Sequence, residues 1–200
     1  MKLKNSLTTN LVVVISGFFI IATYAPTITW GGLGLQDHLL LINKALFSDN
    51  QVHGVFAGEW YRVLTVVLTH AGWLHLGSNM LVFFQLGNIV EQFYGKTRYG
   101  LILLASALAS SFLSLWLDPI NQPSVGASGM IFGLFGVMLI SGKRMGVDYR
   151  QVMGLLLLNI VFSFVPGVNW HAHAGGFLGG FIAALALQAL PRRQVQKGWE

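Results

Sequence analysis

Residues 151–191 read "QVMGLLLLNIVFSFVPGVNWHAHAGGFLGGFIAALALQALP" and contain no Asp, Glu, Lys or Arg. A bilayer crossing takes about 20 apolar residues, so this stretch is too long for one helix. Pro166-Gly167, inside "VPGVNWH" (165–171), breaks it in two. The number of spans, and therefore the side on which every loop lies, turns on that break.

Outward from there, the other uncharged windows are Asn5–Gln36, Val63–Val90, Tyr99–Leu117 and Pro119–Gly142. With 54% hydrophobic and 10% charged residues, the chain has the composition of a multi-pass membrane protein. The windows predict an all-α polytopic domain of six transmembrane helices, at 11–29, 72–92, 99–117, 128–142, 150–165 and 172–190. The apolar N-terminal run resembles a signal peptide. Its length and the lack of a small-x-small cleavage site make it a retained first helix instead.

Lys and Arg favour the cytoplasmic side. Six spans put Lys2, Lys4, Lys96, Arg98, Lys143, Arg144, Arg150, Arg192, Arg193 and Lys197 on one side, and only Lys44 and Arg62 on the other. Both termini are therefore expected inside. The formal charge of +5 is a topology signal and not a nucleic-acid patch. The connection 30–62 carries "HLLLINKALF" and "GVFAGEWYR", apolar enough to lie in the interface, and Trp30, Trp60 and Tyr61 suit that boundary. There is no cysteine, so disulfides and thiolate chemistry are excluded.

Polar residues are costly in membrane spans and mark sites or cavities. "HAGWLHLGSNM" (70–80), "GASGM" (126–130) and "HAHAGG" (171–176) open the second, fourth and sixth helices, which run in the same direction. His75, Asn79, Ser128 and His173 therefore share one depth. His75 and Asn79, at i and i+4, share a helix face. Gly176 and Gly180 form one small-residue ridge, and Gly129, Gly133 and Gly136 another. Facing ridges would bring Ser128 to His173. A serine needs a base to take its proton, and histidine is the usual one. The Asn79 amide, the Ser128 backbone N–H and His75 could stabilise an oxyanion. Phe132 lies one turn below Ser128, placed to pack against His173. No acid stands beside the histidines at that depth, which favours a two-residue dyad; Asp118 is the one acid not dismissed on depth.

Other readings of the same residues stay open. Glycines around a membrane serine often serve packing alone. His75, His171 and His173 could serve a haem or metal carrier, although carboxylate and cysteine ligands are lacking. Gly-rich helices also suit a transporter, but no intramembrane charge or repeated half supports it.

Taken together, "GASG", "HAGWLHLGSNM" and "HAHAGGFLGG" resemble the three signatures of the rhomboid intramembrane serine proteases, and "GEWYR" resembles that family's tryptophan–arginine segment. The likeness runs from about Gly58 to about Gly180 in the family's order. It implies a compact six-helix bundle with an interfacial first outer loop and a cavity open to the outer side. It also implies a serine endopeptidase that needs no cofactor or metal. Its partners would be the lipid bilayer and membrane-protein substrates cut near or within a transmembrane segment. Ser128 resembles the nucleophile, His173 the general base, and His75 with Asn79 the oxyanion-stabilising pair. Gly126 and Gly129 flank the nucleophile, Gly176 and Gly180 follow the base, and Phe132 falls where some members carry a tyrosine stacked on the histidine. The expectation is one membrane domain over 1–200, with the family-like core at about 58–190 and no separate soluble domain, in the inner or plasma membrane. A catalytically inactive relative that binds or escorts membrane clients is the alternative.

Overall fold

The computed structural model describes residues 6–25, 29–30, 32–163 and 168–189. The Pro166-Gly167 break and the terminal basic residues Lys2, Lys4, Arg192, Arg193 and Lys197 lie outside these. Helix α1 spans Leu7–Tyr24, earlier at both ends than the hydropathy windows suggest. Its start is fixed by capping. Ser6 Oγ accepts from the Thr9 N–H, and the Glu91 carboxylate accepts from the Leu7 and Thr8 N–H groups at 2.7 and 2.9 Å. These satisfy amides that a helix leaves unpaired at its start. Its end falls at Ala25, which precedes a proline and leaves the helical region at φ −116°, ψ 60°.

The connection that follows is a small folded unit. Antiparallel strands β1 (Thr29–Trp30) and β2 (Leu33–Gly34) lead to α2 (Leu35–Leu39). A second pair, β3 (Ala45–Leu46) and β4 (Val52–His53), leads through a 3-10 turn to α3 (Arg62–Thr65). Leu41, Val55, Val63 and Val66 form a second, smaller core beneath it, against which Val67, Leu108 and Leu115 pack, so part of the apolar content read as interfacial is spent on internal packing. Trp60 and Tyr61 are exposed, as a boundary role requires. Residues 41–44 are tied to the loop that precedes Ser128: Leu41 and Ser124 exchange backbone hydrogen bonds, and Lys44 N–H donates to Ile120 O.

Arg62 is fully buried, paired with Glu59 at 2.7 Å and donating to the Asp37 and Leu40 carbonyls. His53 bridges Glu59 and Asp49, at 2.9 and 2.8 Å. Hydrogen bonds to Glu59 and then Asp49 raise the His53 pKa above its ordinary 6.5. Burial acts to raise the Glu59 pKa, but hydrogen bonds from His53, Arg62 and the Gly54 N–H outweigh it and bring it down to about 2. The His53 contribution to stability is full below pH 6.5 and fades as pH rises through the raised value; the Glu59 contribution is full above pH 4.5 and fades as pH falls toward 2. Thermal stability is expected to peak between those limits. His53→Phe should flatten the alkaline decline, which melting curves of both proteins across pH would show.

Five further helices complete the fold: α4 (Trp73–Tyr94), α5 (Lys96–Leu117), α6 (Ser128–Ser141), α7 (Tyr149–Ser163) and α8 (Trp170–Ala189). That makes eight helices among the described residues, of which α1, α5 and α8 are long and apolar enough to cross a membrane. Helix α8 is wedged between α5 and α6. A Cβ built at Gly176 or Gly180 would overlap the carbonyl of Gly129 or Gly133 on α6, and one at Gly175 or Gly179 would meet Ala109 or Ala105 on α5. Ser106 and Ser110 of α5 fill the space left by Gly133 and Gly129. The two glycine ridges do face each other, and backbone contact rather than side-chain interlocking sets the spacing. Helix α6 is buried along most of its length, and 14 residues at 1.5 Å each give it only about 21 Å.

Candidate active site

Ser128 is the first residue of α6, and Ala127 before it has φ −81°, ψ 0°. The Ser128 N–H therefore belongs to a helical first turn whose amides lack intrahelical acceptors. His173 lies in the first turn of α8 because "VNWHAH" enters that helix at Trp170. The facing ridges bring the two together: His173 Nε2 lies 2.8 Å from Ser128 Oγ. The imidazole stacks on Phe132, with centroids 4.2 Å apart and planes at 10°. An edgewise Phe135 backs Phe132 in turn, so the imidazole rests on an apolar face.

His75 and Asn79 project from α4 toward the loop that precedes Ser128. Gly126 has φ +116°, and a Cβ there would lie 3.0 Å from His75 Nε2 and 3.5 Å from Asn79 Nδ2. Only glycine meets both demands, the backbone angle and the close approach. The Ala71 N–H donates to His75 Nδ1 at 3.3 Å. In the neutral ring the proton is then on Nε2, the nitrogen that faces Gly126. Two N–H donors, from His75 and Asn79, thus converge beside the backbone two residues before Ser128. Gly129, Gly176 and Gly180 set the approach of α6 to α8 on which the Ser128–His173 distance depends.

His70 shares its segment with His75 but drew no role from the sequence. It is buried, 5.1 Å from the His75 ring by centroids, and its backbone N–H donates to Gln36 Oε1. Asp118 turns to a different partner from the one an acid–histidine–serine triad would require: its Oδ1 meets His171 Nδ1 at 2.5 Å. Among the described residues, no three His, Asp or Glu side chains are grouped to hold a metal ion.

A mostly helical membrane bundle that gathers a serine and two histidines at one end belongs to a recognisable class. This chain is a member of the rhomboid family: residues 57–189 match the Rhomboid domain. It is 38% identical over 184 residues to the rhomboid protease GluP of Bacillus subtilis, covering 84% of this chain and 36% of that protein. It is 32% identical over 182 residues to the putative rhomboid protease YdcA of the same organism, covering 88% and 90%. RHOMBOID-like protein 5 of Arabidopsis thaliana is 36% identical over 143 residues, with 46% of its length covered. The chain thus spans little more than a third of GluP and under half of the plant protein, but most of YdcA.

Proposed function

We propose that this protein is an intramembrane serine endopeptidase that cuts other membrane proteins near or within their transmembrane segments. The observation that carries the proposal is the 2.8 Å contact between Ser128 Oγ and a His173 ring held flat against Phe132. His173 Nε2 accepts the hydroxyl proton as Oγ attacks the scissile carbonyl. His75 Nε2–H, the Asn79 amide and the Ser128 N–H receive the developing oxyanion. The imidazolium then protonates the leaving amine, and a water activated by the same ring hydrolyses the acyl-enzyme. That water must come through a hydrated opening, because the bilayer core holds none.

In the same reading α1, α4, α5, α6, α7 and α8 are six spans of one domain. Lys96, Arg98, Lys143, Arg144 and Arg150 fall at helix ends remote from Ser128, which makes that end cytoplasmic, with both termini, and opens the site to the outer side. At about 21 Å, α6 is shorter than the roughly 30 Å hydrocarbon core, and it runs on into a 3-10 turn (Gly142–Met145) whose Lys143 and Arg144 belong at the cytoplasmic surface; on this reading Ser128 starts below the outer surface. Substrate helices that unwind near the outer face would present their backbone at that depth.

The test is to treat detergent-solubilised protein with a fluorophosphonate, which phosphonylates activated serines with loss of fluoride, and to map the adduct by peptide mass. An adduct on Ser128, absent from Ser128→Ala, is the expected result. Folded protein that takes no label would favour a client-binding relative without activity. Asn79→Ala should label at Ser128 yet cleave a reconstituted transmembrane substrate about 10²–10³-fold more slowly, the usual loss for one oxyanion donor. Cleavage within threefold of wild type would remove Asn79 from that role.

A further inference from the structure

The end of α5 and the start of α8 meet in a polar cluster that the serine–histidine chemistry does not itself use. Asp118 Oδ2 accepts from Asn169 Nδ2 and from the Ser114 hydroxyl, and Asn169 Nδ2 also lies 2.7 Å from Ser114 Oγ. Asp118 Oδ1 receives His171 Nδ1, and the Trp170 ring covers that imidazole with centroids 3.8 Å apart. Asn169 caps α8, its Oδ1 accepting from the Ala172 N–H at 3.0 Å. The Asp118 side chain is 6% exposed. One buried carboxylate therefore holds both the cap residue of α8 and a side chain two positions before His173.

Lower down, the glycine contacts fix how closely α8 approaches its neighbours. They touch the first turn only at Gly129, where a Cβ would lie 3.6 Å from the Ala172 carbonyl; His173 sits in that turn, and its N–H points back to Asn169 O at 3.4 Å. We propose that Asp118 is a positioning residue: through Asn169 and His171 it fixes the first turn of α8 so that His173 Nε2 meets Ser128 Oγ. This rests on the protease reading above. Asp118 acts on the angle and reach of the base and takes no proton from it. Buried hydrogen-bonded carboxylates are suited to such a task because a lost partner leaves a desolvated group that forces local rearrangement. A displacement of the base by about 1 Å is enough to slow a reaction about 100-fold.

The experiment measures fluorophosphonate labelling of Ser128 in the full chain against probe concentration, for wild type, Asp118→Ala, Asp118→Asn and His171→Phe, each checked for folding by thermal melting. Asp118→Ala is expected to lower the maximal labelling rate about 10–100-fold, with the half-saturating probe concentration unchanged. Asp118→Asn, which can still bond Asn169 and Ser114, should recover most of the rate. An unchanged maximal rate in Asp118→Ala, a change confined to half-saturation, or an Asp118→Asn as slow as Asp118→Ala each overturns the proposal. Should Asp118→Ala not fold, a folded His171→Phe that labels at the wild-type rate overturns it equally. A folded wild type that takes no label defeats the protease reading, and this inference with it. A labelled wild type matched by Asp118→Ala defeats the inference alone.

Discussion

His173→Ala is expected to lower single-turnover cleavage of a transmembrane substrate in proteoliposomes by on the order of 10⁴–10⁶-fold, with the fold intact. The size follows from how little else at the site can do the work. Serine at its ordinary pKa is a poor nucleophile, and His173 Nε2 is the base within hydrogen-bonding reach of Oγ. The stacked partner Phe132 carries no proton to lend. Ser128→Ala should match the loss, and the double variant should be no worse than either, because the two act as one unit. Melting temperatures should move little, since both side chains are only partly buried in the first turns of their helices. Retention of a tenth of the wild-type rate in His173→Ala would remove the histidine from the chemistry.

Gly176→Val is the largest expected structural effect. Even a Cβ at this position overlaps the carbonyl of Gly129, a backbone atom that cannot rotate away, and Gly180 stands against Gly133 in the same manner. Overpacking typically costs about 1–3 kcal/mol. Here the obstacle is main chain on a helix also held by α5, so about 3 kcal/mol or more is expected, with loss of accumulation in the membrane. Gly154→Ala is the contrast. A Cβ there meets nothing within 4 Å, and alanine should leave stability unchanged or raise it by about 0.5–1 kcal/mol through helix propensity. Denaturant titration of the three purified proteins separates the cases. A Gly176→Val protein as stable as wild type would mean that the ridges do not set the helix spacing.

The sequence revealed what repeats along a helix or stands at its mouth. Spacing and direction bring His75, Asn79, Ser128 and His173 to one level and offer two ridges that could face each other. Which helix faces which, and so the stack of Phe132 on His173 and the approach of His75 and Asn79 to the serine loop, is a matter of the fold. What the sequence hid were partnerships made across long separations. The start of α1 depends on Glu91, which caps a helix more than eighty residues earlier in the chain. Asp118 could be suspected on depth, but its choice of His171 over His173 depends on which face of α8 turns toward α5. The connection after α1 read as an apolar surface segment because hydropathy cannot distinguish residues that face lipid from residues that bury an arginine. His70 was overlooked for a similar reason: composition does not tell a histidine packed against another from one at the interface.

The wedge position of α8 also bears on how the protein is made. The hydroxyl and the imidazole that meet at the site are 45 residues apart, and the imidazole arrives on the last helix described. At about 5–20 residues per second of synthesis, a nascent chain carries its serine for several seconds before its base exists. In that interval α5 and α6 lack the helix that covers their small-residue faces in the finished fold. On the protease reading proposed above, the newborn chain would lack the base for its serine until the helix that carries His173 enters the slot, and assembly and the onset of activity would be a single event.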